Sequence, residues 1–393
     1  MRRIETFSCA RAPRIEFGEG AFDGLGEHIG RYGTSVLLVT GGASADRSGI
    51  RRRLAKQCRG RALRTHEVRV QGEPGPELID QAVAGCAGRS IDVVCAVGGG
   101  SVVDAGKAIS AMLPLDGAPV ADYLEGVGTK KHDGRKVAMI AVPTTAGTGS
   151  EATGNAVLTI RGKGGFKKSL RHDNFVPDIA IVDPALTFSC PPTVTAACGM
   201  DALTQLLEAY VSTGASPVTD ALAWEGLVRA GSSLPRAHRD TDARVDMSFA
   251  ALISGMVLTN AGLGVVHGLA SAVGALFDIP HGVVCGTLVG PATKAVTESL
   301  RRTDPDSPAL EKYARTGALL GGGNPSEIDR SCDLPAEILT TWQRQLGIPS
   351  LGAYGVTERD IDRIVEKAGN KNGPARLTPG EIGGILRDNL VNP

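Results

Sequence analysis

Residues 92–97 (DVVCAV) form a short apolar, β-branched run that stops at Gly98-Gly99-Gly100-Ser101, and a helical pattern over 102–112 begins at once. A strand, a glycine turn and a helix in succession constrain the fold strongly, because the chain must cross over before the next parallel strand can form. The unit recurs. Residues 35–40 (SVLLVT) end at Gly41-Gly42 before a polar helix carrying Arg51, Arg52 and Arg53, and residues 137–142 (VAMIAV) run into Pro143-Thr144-Thr145. With the apolar run 179–182, these segments predict parallel strands buried on both faces of an α/β layer. After Pro184 helical periodicity takes over, and segments 202–211, 217–230, 246–258 and 310–320 read as helices. The expected organisation is an α/β domain over 1–188 and an all-α domain over 189–393, the boundary marked by Pro184 and the Pro191-Pro192 pair.

Charge narrows the partners. The 42 Lys and Arg balance 42 Asp and Glu, so the chain lacks the basic footprint of a nucleic-acid or anionic-membrane binder. The opening MRRIET has no apolar signal core, and no apolar run nears the roughly 18 residues of a membrane span, so a cytoplasmic protein is expected. Eight cysteines are scattered without a C-x-x-C pair, which predicts neither a disulfide framework nor a cysteine-built metal cluster.

Glycine is the compositional outlier: 52 of 393 residues, nearly twice the usual share of about 7%. Between a strand and a helix, Gly98, Gly99, Gly100 and Ser101 let a ligand approach the backbone, and the helix start offers free N–H groups to a phosphate. The loop fits neither common phosphate fingerprint. Val103 stands where G-x-G-x-x-G needs its third glycine, and Gly100 to Gly106-Lys107 is one residue too long for a P-loop, with Ala108 in place of the magnesium-binding hydroxyl. A second loop, PTTAGTGSE from Pro143, concentrates hydroxyl donors after the next strand, so a nucleotide-sized ligand can lie across both.

The helical half holds a different constellation. Asp201, Gln205 and Glu208 fall at i, i+4 and i+7, one face of a helix. His267 and His281 sit among apolar and glycine residues. One carboxylate and two imidazoles with an open position make up a ligand set of catalytic zinc or iron(II), and a buried structural histidine is the competing explanation for each ring.

The motifs GGGSVVDAGKAIS (98–110), PTTAGTGSEAT (143–153) and GMDALTQLLEAYVS (199–212), with the two histidine segments, resemble the iron-containing, group III alcohol dehydrogenase family, which includes glycerol dehydrogenases. They occur in family order over most of the chain. The resemblance implies a Rossmann-like N-terminal domain with a parallel sheet and an all-α C-terminal domain, the dehydroquinate synthase-like fold. It implies NAD(P)-dependent hydride transfer between a nicotinamide and a small alcohol or aldehyde, with Fe2+ or Zn2+ polarising the oxygen and a homodimer or larger assembly. By motif, Gly98, Gly99, Gly100, Ser101, Asp104, Thr144, Thr145 and Thr148 would contact the cofactor, and Gly41 and Ser44 of the loop after the first strand and Lys168 of the basic stretch are added to them as cofactor candidates. By the same resemblance Asp201, His267 and His281 would bind the metal and serve catalysis, and Gln205 could add a carbonyl oxygen to the metal.

Two positions depart from the family pattern. Gln205 stands where iron-dependent members have histidine, and Ser271 replaces a histidine near the substrate. Alternatives therefore include a metal-independent reductase of the maleylacetate reductase type, a dehydroquinate synthase, and a nucleotide-binding protein whose centre has decayed. Around Gly41 and Ser44 no carboxylate appears until Asp46, and Arg47 is near, which favours NADP(H) over NAD(H). Lys167, Lys168, Arg171 and His172 form a basic stretch that either receives an anionic aldehyde or makes a solvated turn.

Overall fold

The computed structural model describes residues 6–115, 117–162, 165–370 and 372–391. Most of the opening MRRIET, read above for a signal, lies outside them. The chain divides into two compact units, one of Ala10–Ile160 with Gly165–Cys190, the other built on the residues from Pro191 onward.

In the first unit the strands are β1 (Arg14–Phe17), β2 (Ser35–Gly41), β3 (Arg64–Val70), β4 (Val93–Gly98), β5 (Ala138–Pro143), β6 (Asn155–Ile160), β7 (Phe166–Arg171) and β8 (Ile179–Val182). Six of them form one parallel sheet in the order β1-β8-β5-β4-β2-β3. The central strands are the four apolar runs of the sequence. Alternate side chains go to opposite faces: Leu37, Val39, Val94, Ala96, Met139 and Ala141 to one core, Val36, Leu38, Cys95, Ile140 and Val142 to the other. The edge strands β1 and β3 escaped the sequence pattern because an edge is half wet. RIEF and RTHEVRV carry charges that a central strand would exclude. The basic stretch is likewise no turn but the strand β7, paired antiparallel with β6.

Register positions the loops. Thr40 is level with Val97 and Val97 with Val142, so the chain leaves β2, β4 and β5 at one height on three neighbouring strands. From β4 the chain turns directly into α1 (Gly100–Met112). An added Cβ on Gly98 would lie 2.5 Å from Val102, one on Gly100 2.7 Å from Thr148, and one on Gly106 2.6 Å from the Ala96 Cβ. These glycines therefore let helix, strand and hydroxyl loop approach closely, a packing demand that operates with or without a ligand.

A buried ammonium fixes the same region. Lys107 is 1% exposed. Its Nζ donates to the Ser150 carbonyl (2.8 Å), to the Thr153 hydroxyl (2.7 Å) and to the Asn155 carbonyl, and lies 3.3 Å from Asp104. Asp104 accepts from the Ser150 hydroxyl and from the Val157 amide (3.1 Å). Beside this group Glu151 is buried, and burial pushes its carboxyl up to about 7 against the pull of its own amide and Lys107.

The second unit is helical: α2 (Pro192–Val211), α3 (Pro217–Ser233), α4 (Thr241–Ala261), α5 (Val265–Leu276), α6 (His281–Thr303), α7 (Pro308–Gly321) and α8 (Leu334–Gln345), with shorter pieces after them. From Ala196 to Val211 only Cys198 of α2 is not buried, because α3, α4 and α6 pack around it. Pro191 and Pro192 begin this helix, since proline fits a first turn where no N–H partner is needed. Among the described residues no single helix is long and apolar enough to cross a membrane.

Two predictions follow from the packing and the buried carboxyl. Gly106→Ala should cost about 1–3 kcal/mol by overpacking against Ala96, whereas Gly384→Ala, with open space at its Cβ, should leave the melting temperature level or higher. Glu151 binds its proton more tightly when folded, so the stability present below about pH 4.5 is lost as pH rises toward 7. Glu151→Gln should therefore gain on the parent in melting temperature across that window, and a pH-independent difference would refute the assignment.

Candidate active site

The first unit carries the strand-end loops. Gly98, Gly99, Gly100 and Ser101 lie at the start of α1, which no side chain caps, so its first amides and positive dipole end are offered outward. Thr144 donates its amide to the Gly98 carbonyl at 2.9 Å, an added Cβ on Gly99 would sit 3.5 Å from Thr145, and Thr148 packs on Gly100. Gly41 joins the row, its Cβ position 3.8 Å from Val102 and 3.6 Å from Ser44. Asp104 differs from these. Both of its oxygens accept bonds from within the protein, so it anchors the hydroxyl loop.

The basic stretch disperses. Strand alternation sends Lys167 and Arg171 to one face of β7 and Lys168 to the other. Lys167 pairs with Glu73 at 2.5 Å and Arg171 with Glu125 at 3.0 Å. The His172 ring accepts from the Asn174 amide, and Lys168 is exposed. After β2, Ser44 and Arg47 are exposed, whereas Arg51 donates to Thr40 and Gly41 and pairs with Asp46 and Glu67.

The second unit carries a separate polar cluster on three helices. Asp201 lies on α2, His267 in the first turn of α5, and His281 opens α6. The Nε2 atoms of His267 and His281 stand 3.4 and 3.6 Å from Asp201 Oδ1. Asp201 is 2% exposed, and its Oδ1 is buried without a hydrogen bond. Glycines permit this convergence. A Cβ on Gly282 would lie 2.3 Å from the Ala197 carbonyl and one on Gly286 3.0 Å from the Met200 Cβ, so α6 lies hard against α2 beside Asp201.

Glu208 orients the cluster. Its Oε1 accepts the Val266 amide and its Oε2 the His267 Nδ1–H, each at 2.7 Å. A carboxylate accepts, so Nδ1 carries the proton and Nε2 turns toward Asp201, the arrangement a metal-binding imidazole needs. Burial alone would keep His267 neutral, but Cys285, Asp201 and Glu208 outweigh it and hold its pKa well above the ordinary value. Burial would likewise raise Asp201, yet His281 and His267 keep it low. The cluster attracts positive charge.

A divalent ion fits that demand. Donors about 2.0–2.2 Å from a tetrahedral ion stand about 3.3–3.6 Å apart, which the Asp201–histidine distances match. Gln205 is buried on the same helix, and its Oε1 accepts from the Ser254 hydroxyl at 2.6 Å. Ser271 is exposed one turn after His267. Two contributors went unrecognised in the sequence. Glu208 was placed on the Asp201 face without a role. Cys285, set aside with the scattered cysteines, joins Asp201, His267 and His281 in a group whose ligand atoms all lie within 4.8 Å of one another. The repeated pairs His281-Gly282 and Cys285-Gly286, one helical turn apart, were the available signal.

Comparison with known proteins places the chain in a family. The family model for iron-containing alcohol dehydrogenases matches residues 12–184, and that for the C-terminal part of the Fe-containing alcohol dehydrogenase family matches 195–390. Long-chain-alcohol dehydrogenase 1 of Geobacillus thermodenitrificans is 34% identical over 363 residues, covering 91% of this chain and 88% of its own. The NAD-dependent methanol dehydrogenase of Bacillus methanolicus is 31% identical over 389 residues, covering 96% and 98%. The crystal structure of a 1,3-propanediol oxidoreductase aligns with a TM-score of 0.87 at 30% identity, covering 98% of this chain and all of that one. With both halves matched in order along almost the whole sequence, the chain belongs to the iron-containing alcohol dehydrogenase family.

Proposed function

We propose that this alcohol dehydrogenase transfers hydride reversibly between NADP(H) and a small neutral alcohol or aldehyde, with a divalent ion held by Asp201, His267 and His281. One observation carries the reading: a buried carboxylate oxygen without a hydrogen bond, faced by two imidazole nitrogens at 3.4 and 3.6 Å. Without an ion only protonated histidines could balance that carboxylate, whereas a divalent ion meets the oxygen and both Nε2 atoms together.

Each group then has a task. When bound, the ion supplies Lewis-acid stabilisation of the negative charge that grows on the substrate oxygen as hydride moves. Asp201 contributes the charge that retains the ion, and Glu208 keeps His267 in the tautomer that presents Nε2. In the dinucleotide half, the amides at Gly99, Gly100 and Ser101 receive the pyrophosphate, and Thr144, Thr145 and Thr148 donate hydroxyls to it or to the ribose. Asp104 and Lys107 act at one remove, by holding the hydroxyl loop in place.

Cofactor and substrate preference follow from charge. Exposed Ser44 and Arg47 are suited to a 2′-phosphate, for which guanidinium geometry provides paired donors. A neutral substrate is preferred because Lys167 and Arg171 already pair with Glu73 and Glu125.

Two experiments test this. His281→Ala, or exhaustive chelation of the wild type, should lower kcat/KM for a short-chain aldehyde at least about 100-fold, and near-native turnover in both would sink the metal role. Arg47→Ala should reduce kcat/KM for NADPH about tenfold or more, the loss expected for a charge-assisted contact, and leave NADH unchanged. Equal losses with both nucleotides, or a wild type that prefers NADH, would reverse the cofactor assignment.

A further inference from the structure

We propose that Cys285 is the fourth ligand of the ion site, so that the chain holds its metal through a carboxylate, two imidazoles and a thiolate, and the substrate oxygen adds as a fifth ligand. The proposal rests on the metal reading above and specifies its donor set. Cys285 lies on α6 one turn after His281, so both residues project from one helix face. Its Sγ stands 3.8 Å from His267 Nε2 and 3.7 Å from His281 Nε2. Sulfur at about 2.3 Å and nitrogen at about 2.0–2.1 Å from a shared tetrahedral ion stand about 3.6 Å apart, close to both distances.

A simple thiol hydrogen bond accounts for these contacts less well. One thiol proton serves a single acceptor, yet the sulfur is nearly equidistant from two imidazole nitrogens. Beside them the buried Asp201 Oδ1 accepts no hydrogen bond. A cation among the four atoms satisfies all of them together. The Gln205 Oε1 accepts from the Ser254 hydroxyl. Gly286 seats this turn of α6 against Met200, next to Asp201. On binding, the thiol releases its proton to solvent as the sulfur–metal bond forms, and no electrons are transferred. A soft thiolate tilts the site toward zinc over iron(II).

The test uses cobalt(II) as a spectroscopic stand-in, loaded into the full chain after chelation. The wild type should take up one equivalent and show a thiolate-to-cobalt charge-transfer band in the near ultraviolet. Cys285→Ser should keep the visible ligand-field bands, lose the charge-transfer band, and weaken zinc binding at least about tenfold in chelator competition. Cys9→Ser, at an exposed cysteine, should keep the band. Because the wild-type band is read without any variant, a poorly folding Cys285→Ser does not disarm the test. One equivalent of cobalt with ligand-field bands but no charge-transfer band in the wild type would overturn the Cys285 assignment and leave the metal reading standing. Failure to bind cobalt, with turnover indifferent to chelation, would overturn both.

Discussion

The buried ammonium of Lys107 is the interaction on which the loop packing of the α/β unit depends. An unpaired charge cannot remain inside a protein, and this one is met by Asp104 and by oxygens of residues 150–155. Burial lowers its pKa and Asp104 opposes that shift, so the pair holds together only while both partners are in place. Through it α1 and the hydroxyl loop become one piece. Gly98, Gly100 and Gly106 then let that piece lie directly on the ends of β4 and β5. The glycine-rich turn is thus a packing device before any ligand is considered.

The helical unit meets a comparable constraint in another way. Three helices carry polar ligand atoms into a region that burial would otherwise make apolar. Charge of opposite sign is concentrated there, which is why Asp201 stays ionised and His267 is drawn toward its charged form. Small residues make the approach possible: Gly264 beside Glu208, Gly282 beside Ala197 and Gly286 beside Met200 each leave no room for a side chain. Glycine is therefore used where helix meets helix as well as in the strand-end loops.

Legibility followed burial. The four central strands were readable because both faces are buried and their runs are uniformly apolar. β1 and β3 were not, because their charges belong to an edge and resemble a loop. The basic run in β7 was open between an anion pocket and a solvated turn, and strand alternation divides its side chains between two faces. Asp201, His267 and His281 were legible as residue types suited to a metal and through family resemblance. Cys285 was hidden by a reading that counted cysteines against one another and not against histidines.

By itself the sequence determined the strand–glycine–helix rhythm, the change to helices after Pro184, the two loops suited to a dinucleotide and the family, since these depend on local pattern and order along the chain. Only the tertiary structure decided that Asp104 and Lys107 face inward as a pair, that Lys167 and Arg171 are spent on Glu73 and Glu125, and that Gln205 turns to Ser254 while Cys285 joins the histidines. The physical reason is common to all of these. Which partner satisfies a polar side chain depends on what the packing of distant elements brings within about 3–4 Å, and no local sequence pattern records that distance.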